Sequence, residues 1–207
     1  MTETVYTIGH SNHSLERFVL LLKQHHIEAL CDVRSHPYSR MYPQFNREAL
    51  APALRKEGIE YVFLGKELGA RSDDPACYRQ GKVQYGCLAQ TALFRKGIDD
   101  LRERTKTHYL ALMCAEKDPL DCHRAILISR YLCSLGITVE HILADGSLEG
   151  HKRAVTRLLR QLGLPEGDLF RSREEVIEDA YELQGERIAY RANVSLDERE
   201  QIGRSIE

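Results

Sequence analysis

The run Tyr109-Leu110-Ala111-Leu112-Met113-Cys114 carries no charge and shows no alternation of polar with apolar residues. A strand of this kind is buried on both faces, which places it inside a parallel sheet covered by helices. Four further runs, Val5-Tyr6-Thr7-Ile8, Ala29 to Val33, Tyr61 to Leu64 and Thr138 to Leu143, have strand length and β-branched or aromatic content. Helical spacing lies between them. Leu15, Phe18, Val19 and Leu22 follow Asn12 and Ser14, either of which can cap a helix. Asn46 opens a second helix that contains an awkward Pro52. Leu88, Ala92 and Ile98 to Leu101 carry a third. Ala125 to Leu135 reads as a fourth, with Ile128, Leu132 and Leu135 on one stripe and Gly136 as its stop.

This alternation predicts an α/β fold: a mostly parallel five-stranded sheet flanked by helices, with additional C-terminal helices after Gly150. A single domain is expected, with a core over 1–150 and a helical extension over 151–207. Gly65 to Lys82 is expected to be a long loop, of a length that is often functional.

The formal charge of −2 excludes a bulk electrostatic demand for nucleic acid or an acidic membrane. No apolar run approaches the ~20 residues of a membrane helix, and no secretory leader is evident. The six cysteines do not read as a small disulfide framework; Cys31, Cys114 and Cys133 sit in apolar runs, as reduced thiols do. A reducing cytoplasm is the expected setting.

Ligands of parallel α/β sheets bind beyond the carboxyl ends of the strands, and the polar residues fall there. His10-Ser11 follows the first run, and Asp32 to Ser39 closes the second. Gly65 to Arg71 trails the third and Cys114 to Arg124 the fourth, while His141 lies within the fifth. Gly9 suits a close backbone approach to a ligand. Asp32 and Arg34 flank one valine and point the same way; they either pair with each other or orient a substrate. In Cys114-Ala-Glu116 to Asp121-Cys122-His123-Arg124 a buried strand empties into a polar loop, and a helix begins at the second cysteine. Such a start favours an anion and a thiolate. Arg124 offers a bidentate anion contact or pairs with Glu116, and His123 offers a base.

Cys114, Cys122, His123 and either His10 or His141 are ligand types, but without a CxxC pair or an HExxH helix no metal is assigned. Walker and GxGxxG loops are absent, and no cofactor is specified.

Taken together, Thr7-Ile-Gly-His-Ser11, Asp32-Val-Arg34 with Pro37 and Ser39, Phe45, Leu68-Gly-Ala-Arg71 and Tyr85 resemble the family called domain of unknown function 488. Cys114-x-Glu116 followed by Cys122-His-Arg124 is the most specific part of the resemblance, and Ala180-Tyr and Ile188-Ala-Tyr190 also fit. Ala70 departs from it, standing where many relatives have a second glycine. The resemblance implies an α/β fold and a polar site at these motifs, and it names no reaction. A weaker similarity, to rhodanese-like and cysteine-phosphatase domains, lacks their arginine six residues beyond the cysteine; Leu120 and Ile128 stand there.

The leading functional reading is an enzyme for a small anionic or nucleotide-like substrate. Asp32, Cys122 and His123 are its candidate catalytic residues. His10, Ser11, Arg34, Ser39, Arg71, Tyr85, Cys114, Glu116 and Arg124 are its candidate binding residues. One alternative is a nucleic-acid-binding module using Arg34, Arg40, Lys66, Arg71 and Arg79 with Tyr38, Tyr42 and Tyr78. The other is sulfur transfer or thiol redox through Cys114 and Cys122.

Overall fold

The computed structural model of the chain describes residues 3–165 and 171–192. Its strands are β1 (Thr4–Gly9), β2 (Ala29–Asp32), β3 (Glu60–Phe63), β4 (Tyr78–Arg79), β5 (Lys82–Val83), β6 (Leu110–Cys114), β7 (Thr138–Ile142) and β8 (Leu148–Gly150). Its α-helices are α1 (Leu15–Gln24), α2 (Arg47–Lys56), α3 (Gly65–Leu68), α4 (Tyr85–Gln90), α5 (Ala92–Thr105), α6 (Arg130–Ser134), α7 (His151–Leu162) and α8 (Arg173–Ile188). The five expected strands are present and parallel, in the order β3-β2-β6-β1-β7. The charge-free run is β6, buried at every position and flanked by β1 and β2.

Two elements depart from the sequence reading. A sixth strand, β8, pairs antiparallel with β7 across the Asp145-Gly146 turn; three residues are too few to display a period. The expected loop from Gly65 to Lys82 is partly ordered, holding α3, a 3-10 turn at Pro75–Cys77 and the β4–β5 hairpin. Cys87 of α4 forms a disulfide with Cys77, a pairing the expectation of reduced cysteines did not include. Pro52 sits inside α2 without breaking it. Both Pro52 and Glu48, whose carbonyl loses its N–H partner, are exposed, so water can take that bond.

Alternating side chains divide the core. Phe18, Leu22 and Leu50 of α1 and α2 cover the sheet face that carries Ile8, Leu30 and Met113. Phe94, Ile98 and Leu132 of α5 and α6 cover the face that carries Val5, Cys31 and Leu112. Beyond β8, α7 and α8 pack Leu158, Val176 and Ala180 against Leu120 and Ile126. The expected extension is therefore helical and docked as far as it is described; 193–207 lie outside the described residues. The chain leaves β1 toward one face and leaves the adjacent β6 toward the other, which opens a crevice between their carboxyl ends.

Among the described residues, no helix is long and apolar enough to cross a membrane.

Candidate functional site

Main-chain bonds hold the ends of β1 and β6 together beyond the sheet. The His10 N–H donates to the Cys114 carbonyl and the Ser11 N–H to the Ala115 carbonyl, both at 2.9 Å. Ser11 reaches this position at φ +48°, a left-handed conformation that costs a side-chain-bearing residue about 1 kcal/mol. A Cβ on Gly9 would lie 1.9 Å from the Glu116 carbonyl oxygen. The sequence reading assigned this glycine to a ligand's approach; the structure uses it to admit the loop that follows β6.

Asp32 and Arg34 form a buried bidentate pair. Arg34 Nε donates to Oδ1 at 2.9 Å and Nη2 to Oδ2 at 2.7 Å. The Arg34 backbone N–H and the Tyr61 hydroxyl also donate to this carboxylate. Asp32 thus has no free lone pair facing the crevice. Burial opposes the Arg34 charge, but Asp32 outweighs it and raises the Arg34 pKa. Arg34 Nη1 faces His10 Nε2 at 3.3 Å, and His10 Nδ1–H donates to the Ser11 carbonyl at 3.0 Å. Burial lowers the His10 pKa to about 4, so its ring is neutral near pH 7.

The loop after β6 brings Cys122 back beside Cys114. His123 Nδ1 lies 3.7 Å from Cys114 Sγ and 3.8 Å from Cys122 Sγ, while Nε2 bonds to the Val33 carbonyl at 3.1 Å. All three residues are buried, and the three ligand-type atoms lie within 4.8 Å of one another. Burial opposes ionisation of Cys122, yet the Cys114 thiol, Arg124 and His123 together hold its pKa well below the usual thiol range. Its hydrogen bond to Cys122, together with burial, pushes Cys114 up. Burial lowers the His123 pKa, but the Cys122 charge outweighs it and the net shift is upward. The Glu116 carboxyl is also raised, first by burial and then by Cys122. The cluster therefore offers one thiolate, one protonated thiol, an imidazole and a carboxyl that takes up a proton readily.

Arg124 is fully buried, and its role differs from both sequence alternatives. Nη1 donates to the Glu116 carbonyl at 2.8 Å and Nη2 to the Lys117 carbonyl at 3.2 Å, so it holds the loop's main chain and, among the described residues, pairs with no carboxylate. Its Nε has no partner among the described residues. The segment Cys122 to Arg124 opens a π-helical turn, Arg124–Ser129, which runs into α6. Such wide turns recur at functional sites.

A cleft of about 630 Å³ lies over this cluster. Ten of the expected site residues line it: His10, Ser11, Arg34, Ser39, Arg71 and Tyr85, together with Cys114, Glu116, Cys122 and His123. Asp32 and Arg124 stand behind the wall as supports. His141 is elsewhere, in a buried chain in which Thr7 Oγ1, His141, His151 and the Tyr181 hydroxyl are hydrogen-bonded in turn at 2.7, 3.0 and 2.8 Å. That chain fastens α7 and α8 to the sheet and removes His141 from the cluster.

The sequence reading missed His36 and Tyr190 as lining residues. Arg71 stacks over the Tyr190 ring, 4.0 Å from its centroid, and donates to His36 Nδ1 at 3.1 Å. The Ile188-Ala-Tyr190 segment was the available signal, but no local pattern shows that a helix end closes a distant cleft.

The family model described as "Domain of unknown function DUF488" matches residues 14–131, more than half of the chain, from the N-cap of α1 through the thiol cluster. No curated protein and no solved structure matches the chain. The chain belongs to the DUF488 family.

Proposed function

We propose that the protein is an enzyme acting on a small anionic or nucleotide-like substrate held in this cleft. One observation carries the reading: side chains from positions as distant as His10 and Tyr190 converge on a single cavity floored by an activated thiol–imidazole cluster. Its volume suits a small metabolite. Arg71 has no carboxylate partner among the described residues and sits at the mouth, which supports anion capture. Tyr38, which is 64% exposed, and Tyr42 offer ring faces to a base or sugar. Cys114, Cys122 and His123 carry the chemistry in this reading, and Asp32 is a positioning residue that holds Arg34.

The nucleic-acid alternative draws less support. The Tyr78 hydroxyl is bonded to the Ser72 carbonyl, and neither Lys66 nor Arg79 lines the cleft.

The test is a thermal-shift and calorimetric screen of phosphorylated and carboxylated metabolites, followed by Arg71→Ala. Removing one charge-assisted contact should weaken the best ligand roughly tenfold or more with an unchanged melting temperature. Unaltered affinity in that variant, or no ligand in the screen, would overturn the reading.

A further inference from the structure

We propose that Cys114, Cys122 and His123 bind one borderline transition-metal ion, with Zn²⁺ as the type, and leave its fourth position open to the cleft. The inference goes beyond the enzymatic reading and does not require it, because it rests on ligand geometry.

A tetrahedral ion at typical Zn–S and Zn–N lengths sets sulfur and nitrogen ~3.6 Å apart. The two observed separations are 3.7 and 3.8 Å. A hydrogen-bond account is less complete. With Nε2–H given to the Val33 carbonyl, Nδ1 keeps one lone pair, and that lone pair faces two sulfurs at once. One cation between them satisfies all three atoms at once, whereas a hydrogen-bonded triangle needs two protons, one on Cys114 and one on His123, to do the same. The Val33 contact is also the outer support that metal-bound imidazoles commonly have, fixing tautomer and ring plane. The Arg124 backbone N–H donates to Cys122 Sγ at 3.4 Å, and the buried Arg124 guanidinium has no carboxylate partner among the described residues, so its charge favours two thiolates.

Two thiolates and an imidazole select zinc-like ions over Mg²⁺ or Ca²⁺. Three protein ligands are the usual complement of an open site, with water or substrate completing the set. All three residues line the cleft, so the open position faces the cavity where substrate is proposed to sit. Binding releases whatever protons the two thiols still carry.

The decisive experiment uses the unmutated chain, stripped with a chelator and titrated with Co²⁺ and then Zn²⁺. One equivalent of Co²⁺ should bind with a thiolate-to-metal charge-transfer band, and Zn²⁺ should displace it. Zn²⁺ should also shield Cys114 and Cys122 from alkylation, read by mass spectrometry, while leaving Cys31 and Cys133 as they were. His123→Gln should weaken binding by more than about 100-fold, the upper end of what an outer-shell change costs. Absence of the band with unshielded thiols overturns the proposal. So does a Cys114–Cys122 disulfide in the protein as isolated, before any chelator is added, which would favour thiol redox chemistry. Metabolite binding to the stripped protein is measured separately, so failure of the metal site and failure of the substrate cleft give different results.

Discussion

Gly9 and Gly86 make opposite demands on their surroundings. A Cβ at Gly9 meets the Glu116 carbonyl at 1.9 Å, while one at Gly86, in α4, meets nothing within 4 Å among the described residues. Gly9→Ala should therefore displace the loop after β6 and cost about 1–3 kcal/mol, the range for overpacking. Gly86→Ala should be neutral or stabilising by up to about 1 kcal/mol through helix propensity. Urea midpoints of the two variants check this, and equal shifts would contradict it. The sequence made Gly9 conspicuous by its place after a strand, but the reason for it lies in a carbonyl more than a hundred positions away. Arg124 was hidden in the same way. Its partners are main-chain oxygens, which leave no mark in the order of side chains.

Among elements, the π-helical turn Arg124–Ser129 is the one that aims the cluster. All six of its residues are buried, and the Ser129 hydroxyl donates to the Arg124 carbonyl at 2.7 Å, reinforcing the widened turn. Ser129→Ala should cost roughly 1 kcal/mol, the usual net value of such a bond. It should also speed alkylation of Cys122 in chelator-stripped protein, because the turn that seats this thiol is loosened. An unchanged alkylation rate would show that the turn holds without the hydroxyl. β6 was legible because a strand buried on both faces is written as an unbroken apolar run, whereas β1, β2, β3 and β7 were read from strand length and β-branched or aromatic content, and β3 has no buried residue. The π turn was not, since Ile128, Leu132 and Leu135 read as one ordinary helical stripe; the structure buries the first two and leaves Leu135, at the end of α6, exposed. β8 and the β4–β5 hairpin were too short to show any period.

At the scale of the whole molecule, the buried chain Thr7–His141–His151–Tyr181 crosses from the central sheet to α8. Burial lowers the His151 pKa to about 4 and also holds His141 well below the usual imidazole range. An unfolded imidazole titrates near 6.5. As pH falls from 6.5 the unfolded chain takes up protons that the fold refuses, so stability declines until about pH 4 and then levels off for this group. His151 alone accounts for about 3 kcal/mol of that decline. His10 adds to it in the same window, since its pKa also falls to about 4. Denaturation across this window should show a shallower slope for His151→Gln than for the unmodified chain; equal slopes would place the proton uptake elsewhere. The helices of the extension were readable from the many charges that follow Gly150. Their attachment through histidines was not, because His141 and His151 look like ordinary polar residues until the sheet and α7 bring them together.

The two thiols of the cluster are separated by a loop whose own carbonyls are gripped by Arg124, two residues beyond the second thiol. The span from Glu116 to Asp121 is thus gauged from within, like a strap buckled at a single hole. An inserted or deleted residue there would shift one sulfur while β6 keeps the other in place, so change in this stretch is all-or-nothing.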